Sequence, residues 1–158
     1  MNLKPIVPCL WFNNQGEEAA NFYVSIFPNS TIGTISRYGK EGFEFHGMPE
    51  GTALTVAFTL NGQTYSALNG GPKFKFTEAV SFQVFCDTQE EIDHFWNKLT
   101  ENGGEESQCG WLKDKFGLSW QIVPSMMGQW MSDPQKAGRV ANAFMKMKKM
   151  DIETLKNA

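Results

Sequence analysis

Two histidines, three cysteines and a set of carboxylates are the residues with the most chemistry to offer, and their spacing decides what they can do. His46 lies in the stretch Gly39 to Gly51, GKEGFEFHGMPEG, with Glu41 and Glu44 close in sequence; these three make a metal site only if the loop folds tightly on itself. His94 stands beside Asp93 on what reads as the polar face of a helix, where solvation is the simplest role. Neither histidine falls beside a strand-end nucleophile, so no Ser/His/Asp set is visible. Cys9, Cys86 and Cys109 are too scattered for a zinc knuckle or a CxxC pair, and their odd number argues against a disulfide framework. They read as reduced thiols, acting as small, partly buried apolar residues. Asn69-Gly70-Gly71-Pro72 is glycine-rich but runs into Lys73-Phe74-Lys75-Phe76 rather than a helix, so it lacks the form of a phosphate or ribose cradle.

The elements that carry these residues occur twice. Val80 to Leu99, VSFQVFCDTQEEIDHFWNKL, reads as a strand feeding a helix, and an ungapped shift of 73 positions lays it on Val7 to Ile26, VPCLWFNNQGEEAANFYVSI. Phe12 then falls on Phe85, Glu17-Glu18 on Glu90-Glu91, and Phe22-Tyr23 on Phe95-Trp96. Gly62 to Leu68 lines up with Gly117 to Val123 in the same way, which places Ser66 on Gln121. An internal repeat takes precedence over any single-element reading. In the first module Ile6 to Phe12 is a strand and Ala19, Phe22, Tyr23 and Ile26 recur at helical spacing. Thr31 to Tyr38 alternates as a second strand, and Thr52 to Leu68 folds as two strands about Asn61-Gly62, the pair a type I′ turn prefers. Between them Gly39 to Gly51 is a loop, either a lid or a plain connection. In the second module Asp87 or Thr88 caps a helix with Ile92, Phe95, Trp96 and Leu99 on its apolar face. Only one short strand is expected in Glu105 to Asp114, so this module has one strand fewer. Beyond Pro124, Ser132-Asp133-Pro134 starts a helix whose stripe Val140, Ala143, Phe144 and Met147 runs to about Lys149.

A chain of 158 residues with a net charge of −3 is the size of one domain and has no basic surplus, which argues against nucleic acid as a partner. A half of roughly 70 residues is marginal alone, so the two modules are expected to share a core. No apolar run approaches a membrane span and the first residues do not read as a secretion signal, so a soluble, cytoplasmic protein is expected, with no membrane partner.

The twice-occurring pattern of strand, helix and three strands resembles the vicinal oxygen chelate superfamily, which includes glyoxalase I, extradiol dioxygenases and the bleomycin and fosfomycin resistance proteins. More narrowly, Pro8-Cys9-Leu10-Trp11-Phe12, Ala67-Leu68-Asn69-Gly70-Gly71-Pro72, Val84 to Glu91 and Gly117 to Pro124 resemble the PhnB-like branch, often labelled 3-demethylubiquinone-9 3-methyltransferase. The resemblance implies an α+β fold of the glyoxalase/bleomycin resistance/dihydroxybiphenyl dioxygenase type. Two βαβββ modules, about 3–72 and about 79–124, form a curled mixed sheet around a central pocket, with an extra C-terminal helix within about 125–158. It implies one such domain over 1–158 and a homodimer.

Active members of the superfamily hold a divalent metal with one side chain from the first and last strand of each module, and the metal acts as a Lewis acid for two neighbouring substrate oxygens. Carried onto this chain, those positions fall on Pro8, Ser66, Ser81 and Gln121. Proline has no side-chain donor and unsupported serine hydroxyls are poor ligands, so no cofactor is expected. Strand alternation places Leu10 and Phe12 beside Pro8, and Gln83 beside Ser81, as lining of a pocket for a small, partly apolar ligand. Gln83 and Gln121 could equally satisfy each other or a buried water. Two alternatives stand beside this binding protein. One is a metal-dependent lyase, isomerase or dioxygenase that uses Gln121 with His46 or other unassigned ligands. The other is the methyl transfer that the label names.

Overall fold

The structure, a computed structural model, describes residues 1–158. The chain forms two compact units, Met1–Lys75 and Phe76–Ala158, each built on its own four-stranded mixed sheet. No helix is long and apolar enough to cross a membrane.

The first unit contains β1 (Cys9–Phe12), α1 (Gly16–Ile26), β2 (Thr31–Arg37), α2 (Phe43–His46), β3 (Ala53–Leu60) and β4 (Gln63–Asn69). Its sheet order is β1-β4-β3-β2, with β1 parallel to β4 and the other pairs antiparallel. The β3–β4 turn has positive φ at both Asn61 (45°) and Gly62 (84°), the geometry of the expected type I′ hairpin. Ala19, Ala20, Tyr23 and Ile26 bury one side of α1, and Tyr23 stacks on Phe58 of β3 with ring centroids 6.2 Å apart. The glycine-rich stretch is not wholly irregular: α2 makes one turn of helix between Gly42 and Gly47, both left-handed.

The second unit contains β5 (Ser81–Cys86), α3 (Gln89–Thr100), β6 (Glu105–Glu106), β7 (Trp111–Lys113) and β8 (Ser119–Pro124), ordered β5-β8-β7-β6. It therefore has four strands, and the expected deficit of one is corrected. The region Glu105 to Asp114 is too short and polar to show an alternation, yet it folds as two brief strands paired Glu105 to Lys113 and Glu106 to Leu112. Thr88 caps α3 in a complete capping box with Glu91, and Ile92, Trp96 and Leu99 form the buried face.

After β8 come α4 (Met127–Ser132), α5 (Ala137–Phe144) and α6 (Ile152–Lys156). The single helix expected to run to Lys149 ends at Phe144 instead. Its continuation is diverted because the carbonyls of Met147 and Lys148 accept hydrogen bonds from the N–H groups of Cys109 and Gly110, both 2.8 Å. The end of the chain is tied to α3 by Gln89, which donates to the Met150 carbonyl at 3.1 Å and accepts from Ile152 N–H at 2.9 Å. An ion pair between Lys149 and Asp93 (2.7 Å) adds to this tie.

Candidate functional site

Each sheet has one face covered by its helix and one face free of it, and register decides which side chain goes where. In the first unit Leu10 pairs with Ala67 and Phe12 with Asn69, and a Cβ on Gly16 of α1 would touch the side chains of both Ala67 and Asn69. Leu10 and Phe12 are thus buried under α1, at 6% and 4% exposure. The reading of them as pocket lining is corrected. The open face carries their neighbours Cys9 and Trp11, with Ser66 and Leu68 across from them.

The same logic revises the repeat. Cys9 pairs with Ser66 in the first unit, whereas Gln83 pairs with Gln121 in the second. The backbone bonds Gly70 N–H to Phe12 O (3.0 Å) and Ser125 N–H to Cys86 O (2.8 Å) repeat this correspondence at the far end. First strands therefore correspond at a shift of 74, while the buried helix residues Ala19, Tyr23 and Ile26 match Ile92, Trp96 and Leu99 at a shift of 73. The cause is one extra residue between strand and helix: Asn13, Asn14 and Gln15 in the first unit against Asp87 and Thr88 in the second. A one-residue slip exchanges the two faces of a strand. Phe12 is buried while Phe85, its partner in the ungapped alignment, is 60% exposed. The residue that corresponds to Ser81 is Val7 rather than Pro8; Pro8 contributes its carbonyl, which accepts from Ser66 N–H at 2.9 Å.

On the open face of the second sheet, Ser81, Gln83 and Phe85 of β5 lie beside Ser119, Gln121 and Val123 of β8. Gln121 Nε2 donates to Ser81 Oγ at 2.8 Å, and Gln83 Nε2 makes a longer bond of 3.5 Å to Gln121 Oε1. Three of the six sequence-derived site residues are thereby joined in one neutral hydrogen-bonded row. Ser66 lies on the open face of the first sheet. Trp111 and Lys113 of β7 extend the second face, opposite Gln121 and Ser119.

His46 has structural partners. His46 Nδ1 accepts from Met48 N–H (2.9 Å), Nε2 lies 3.0 Å from the Glu41 carbonyl, and the ring packs on Tyr38 at 4.4 Å between centroids. No three His, Cys, Asp or Glu side chains come together as a group able to hold a metal ion. Cys86 is buried, and its thiol is pushed up to about 12 by that burial, with the Glu91 and Asp87 carboxylates adding to the effect. The Asn69 to Pro72 turn is occupied by its own fold. Gly70 and Gly71 N–H bond to Phe12 and Asn13 carbonyls, and Gly71 O accepts from Trp11 Nε1 at 2.9 Å.

Two buried polar residues, given no role in the sequence reading, hold this framework. Asn69 accepts from Gly16 N–H (2.7 Å) and donates to Ala53 O (2.9 Å), joining β4 to the start of both α1 and β3. Asp114 accepts from Phe116 N–H (2.9 Å) and Leu118 N–H (3.1 Å) through Oδ1, and from Trp120 Nε1 (2.9 Å) through Oδ2, and so fixes the β7–β8 turn. The available signal was the stretch Asp114-Lys115-Phe116-Gly117, since an aspartate opening a turn tends to bond the backbone two residues on.

Two modules, each a mixed four-stranded sheet with one helix-covered face, define a protein of the vicinal oxygen chelate superfamily, with the glyoxalase/bleomycin resistance fold. The chain belongs to the PhnB-like family described as 3-demethylubiquinone-9 3-methyltransferase, whose model matches residues 4–123. A PhnB protein from Bacillus cereus is 38% identical, with a TM-score of 0.67 over 76% of this chain and 99% of its own. Protein PA1353 from Pseudomonas aeruginosa is 19% identical with a TM-score of 0.61, covering 77% of this chain and 98% of its own. The fosfomycin resistance protein FosX from Listeria monocytogenes is 15% identical with a TM-score of 0.54, covering 84% and 100%. These last two share the fold alone. No curated protein matches the chain.

Proposed function

We propose that this protein binds a small, partly apolar molecule on the open face of its second sheet through neutral polar groups, without the superfamily's chelated metal. The observation that carries the proposal is the row Gln83, Gln121 and Ser81, hydrogen-bonded across β5 and β8 at the place where active members carry metal ligands. Amides and hydroxyls offer donors and acceptors with no net charge, while Phe85 and Trp111 add apolar surface beside them. Convergent polar groups set beside apolar side chains are a usual feature of a small-molecule site. The corresponding positions Val7, Ser66, Ser81 and Gln121 do not fit a divalent metal, because one has no donor atom and the rest offer only neutral oxygens. The row contains no group that titrates near neutral pH, so it suits orientation of a carbonyl or hydroxyl rather than proton transfer.

Methyl transfer forms no part of the proposal. The glycine N–H groups that a ribose or phosphate would need already bond to Phe12 and Asn13. The proposal includes a homodimer, supported by Val80 and Phe85, which are 63% and 60% exposed and would otherwise face water.

The test has two parts. Untagged protein challenged with zinc, nickel, manganese and ferrous iron is expected to retain no stoichiometric metal; about one tightly held ion per chain overturns the reading. A thermal-shift screen of small carbonyl and hydroxyl compounds is expected to yield ligands that the Gln83→Leu/Gln121→Leu variant no longer binds, with light scattering showing the same dimer. Unchanged binding in that variant refutes the placement.

A further inference from the structure

At the edge of the second sheet, β6 and β7 border a cavity of about 270 Å³ lined by Glu78, Glu105, Glu106, Trp111, Lys113 and Ser119. Register explains how these side chains meet. Glu105 pairs with Lys113 and Lys113 pairs with Ser119, so the three stand in one row on the open face. The Lys113 ammonium is ion-paired with the Glu78 carboxylate, and Glu78, followed by Glu105, holds its pKa above the usual lysine value. Glu106 is engaged by Trp96 Nε1 at 2.8 Å. Glu106 pairs with the buried Leu112 and so turns its carboxylate to the helix-covered face, which leaves Glu78 and Glu105 against one ammonium, still an excess of negative charge in the wall. In the same wall Ser119 is 1% exposed, and its Oγ has no hydrogen-bond partner. Buried hydroxyls are ordinarily paired, and an unpaired one at a cavity needs a reason.

We propose that this cavity binds a small organic ammonium that also carries a hydroxyl, an amino alcohol. Its ammonium sits between Glu78 and Glu105, and its hydroxyl pairs with Ser119 Oγ. In the free protein Lys113 fills the ammonium seat from within, and the ligand displaces it. An anion would meet two carboxylates, Glu78 and Glu105, for one cation. A divalent metal would need ligands clear of an ammonium, and the cavity offers no group of three that could hold one. The volume equals that of roughly nine liquid waters, room for a ligand of a few heavy atoms. The cavity adjoins the Gln83, Gln121 and Ser81 row, since Ser119 pairs with Ser81 and Trp111 with Gln121, but the proposal does not depend on ligand binding to that row.

The probe is ethanolamine, added at millimolar concentrations to the full chain and followed through amide NMR shifts in residues 105–119, with ethylamine, ethylene glycol and glycolate as comparisons. Ethanolamine is expected to bind more tightly than any of these. Glu105→Gln is expected to weaken it about tenfold, the equivalent of one charged contact. Ser119→Ala is expected to reduce ethanolamine to the affinity of ethylamine while leaving ethylamine unchanged. Lys113→Met, by freeing Glu78, is expected to strengthen ethanolamine binding several-fold. The assignment is overturned if neither the natural chain nor Lys113→Met binds ethanolamine. Glycolate binding as well as ethanolamine does, or Glu105→Gln leaving affinity unchanged, overturns it equally.

Discussion

Removing the Asp114 carboxylate tests whether the second unit depends on one buried side chain. Asp114 is 2% exposed and accepts three hydrogen bonds, two of them from donors that are themselves buried, Leu118 N–H and Trp120 Nε1. In Asp114→Ala those two donors lose their acceptor, and a buried unpaired donor costs about 1–3 kcal/mol. Phe116 N–H is only part-buried and water can replace its partner at small cost. The expected loss is about 4 kcal/mol, which for a chain of this length lowers the melting temperature by roughly 10 °C. Asp114→Asn keeps one oxygen toward the backbone but turns an NH₂ toward the indole, so about 2 kcal/mol is expected. Urea unfolding followed by tryptophan fluorescence measures both, and Trp120→Phe completes a double-mutant cycle with an expected coupling near 2 kcal/mol. A loss below about 1 kcal/mol for Asp114→Ala, with an unchanged denaturant slope, refutes the argument. It would mean that the carboxylate's own desolvation had cancelled its hydrogen bonds.

Three further outcomes follow from the surroundings of Gly70 and Cys86. A Cβ at Gly70 would lie 2.3–2.6 Å from Trp11 ring atoms, so Gly70→Ala must push the indole away from Gly71 O; a loss of about 2 kcal/mol and a shift in tryptophan emission are expected. At pH 8 a thiol reagent is expected to label the exposed Cys9 rapidly and Cys86 only on unfolding, because burial holds the Cys86 thiol in its protonated form. The unfolded thiol releases its proton from about pH 9, the folded one only near 12. The stability contributed by that difference is therefore complete below pH 9 and declines as pH rises toward 12, which unfolding of Cys86→Ala alongside the natural chain measures.

The repeat was legible because its signals are local: apolar residues at helical spacing in Ala19, Tyr23 and Ile26 and again in Ile92, Trp96 and Leu99, and a turn-forming Asn61-Gly62 pair. The face of β1 was not. The ungapped alignment treated Asn13-Asn14-Gln15 and Asp87-Thr88 as equal in length, and the one extra residue moved Leu10 and Phe12 from the open face to the core. The division of Glu105 to Asp114 into β6 and β7, where one short strand was expected, was not legible for a related reason, since two and three residues are too few to display a period of two.

By itself the sequence determined the two-module plan and the buried faces of α1 and α3, because each depends on residue type and near-neighbour spacing. Tertiary structure alone decided which side chains share a face. It brought Gln83, Gln121 and Ser81 into one row across strands 38 and 40 positions apart in the chain. It also set Lys113 among Glu78, Glu105 and Ser119, and gave Asn69 and Asp114 their buried partners. Those outcomes rest on strand register and on loops that differ by one residue, and neither is written in the period of any single segment.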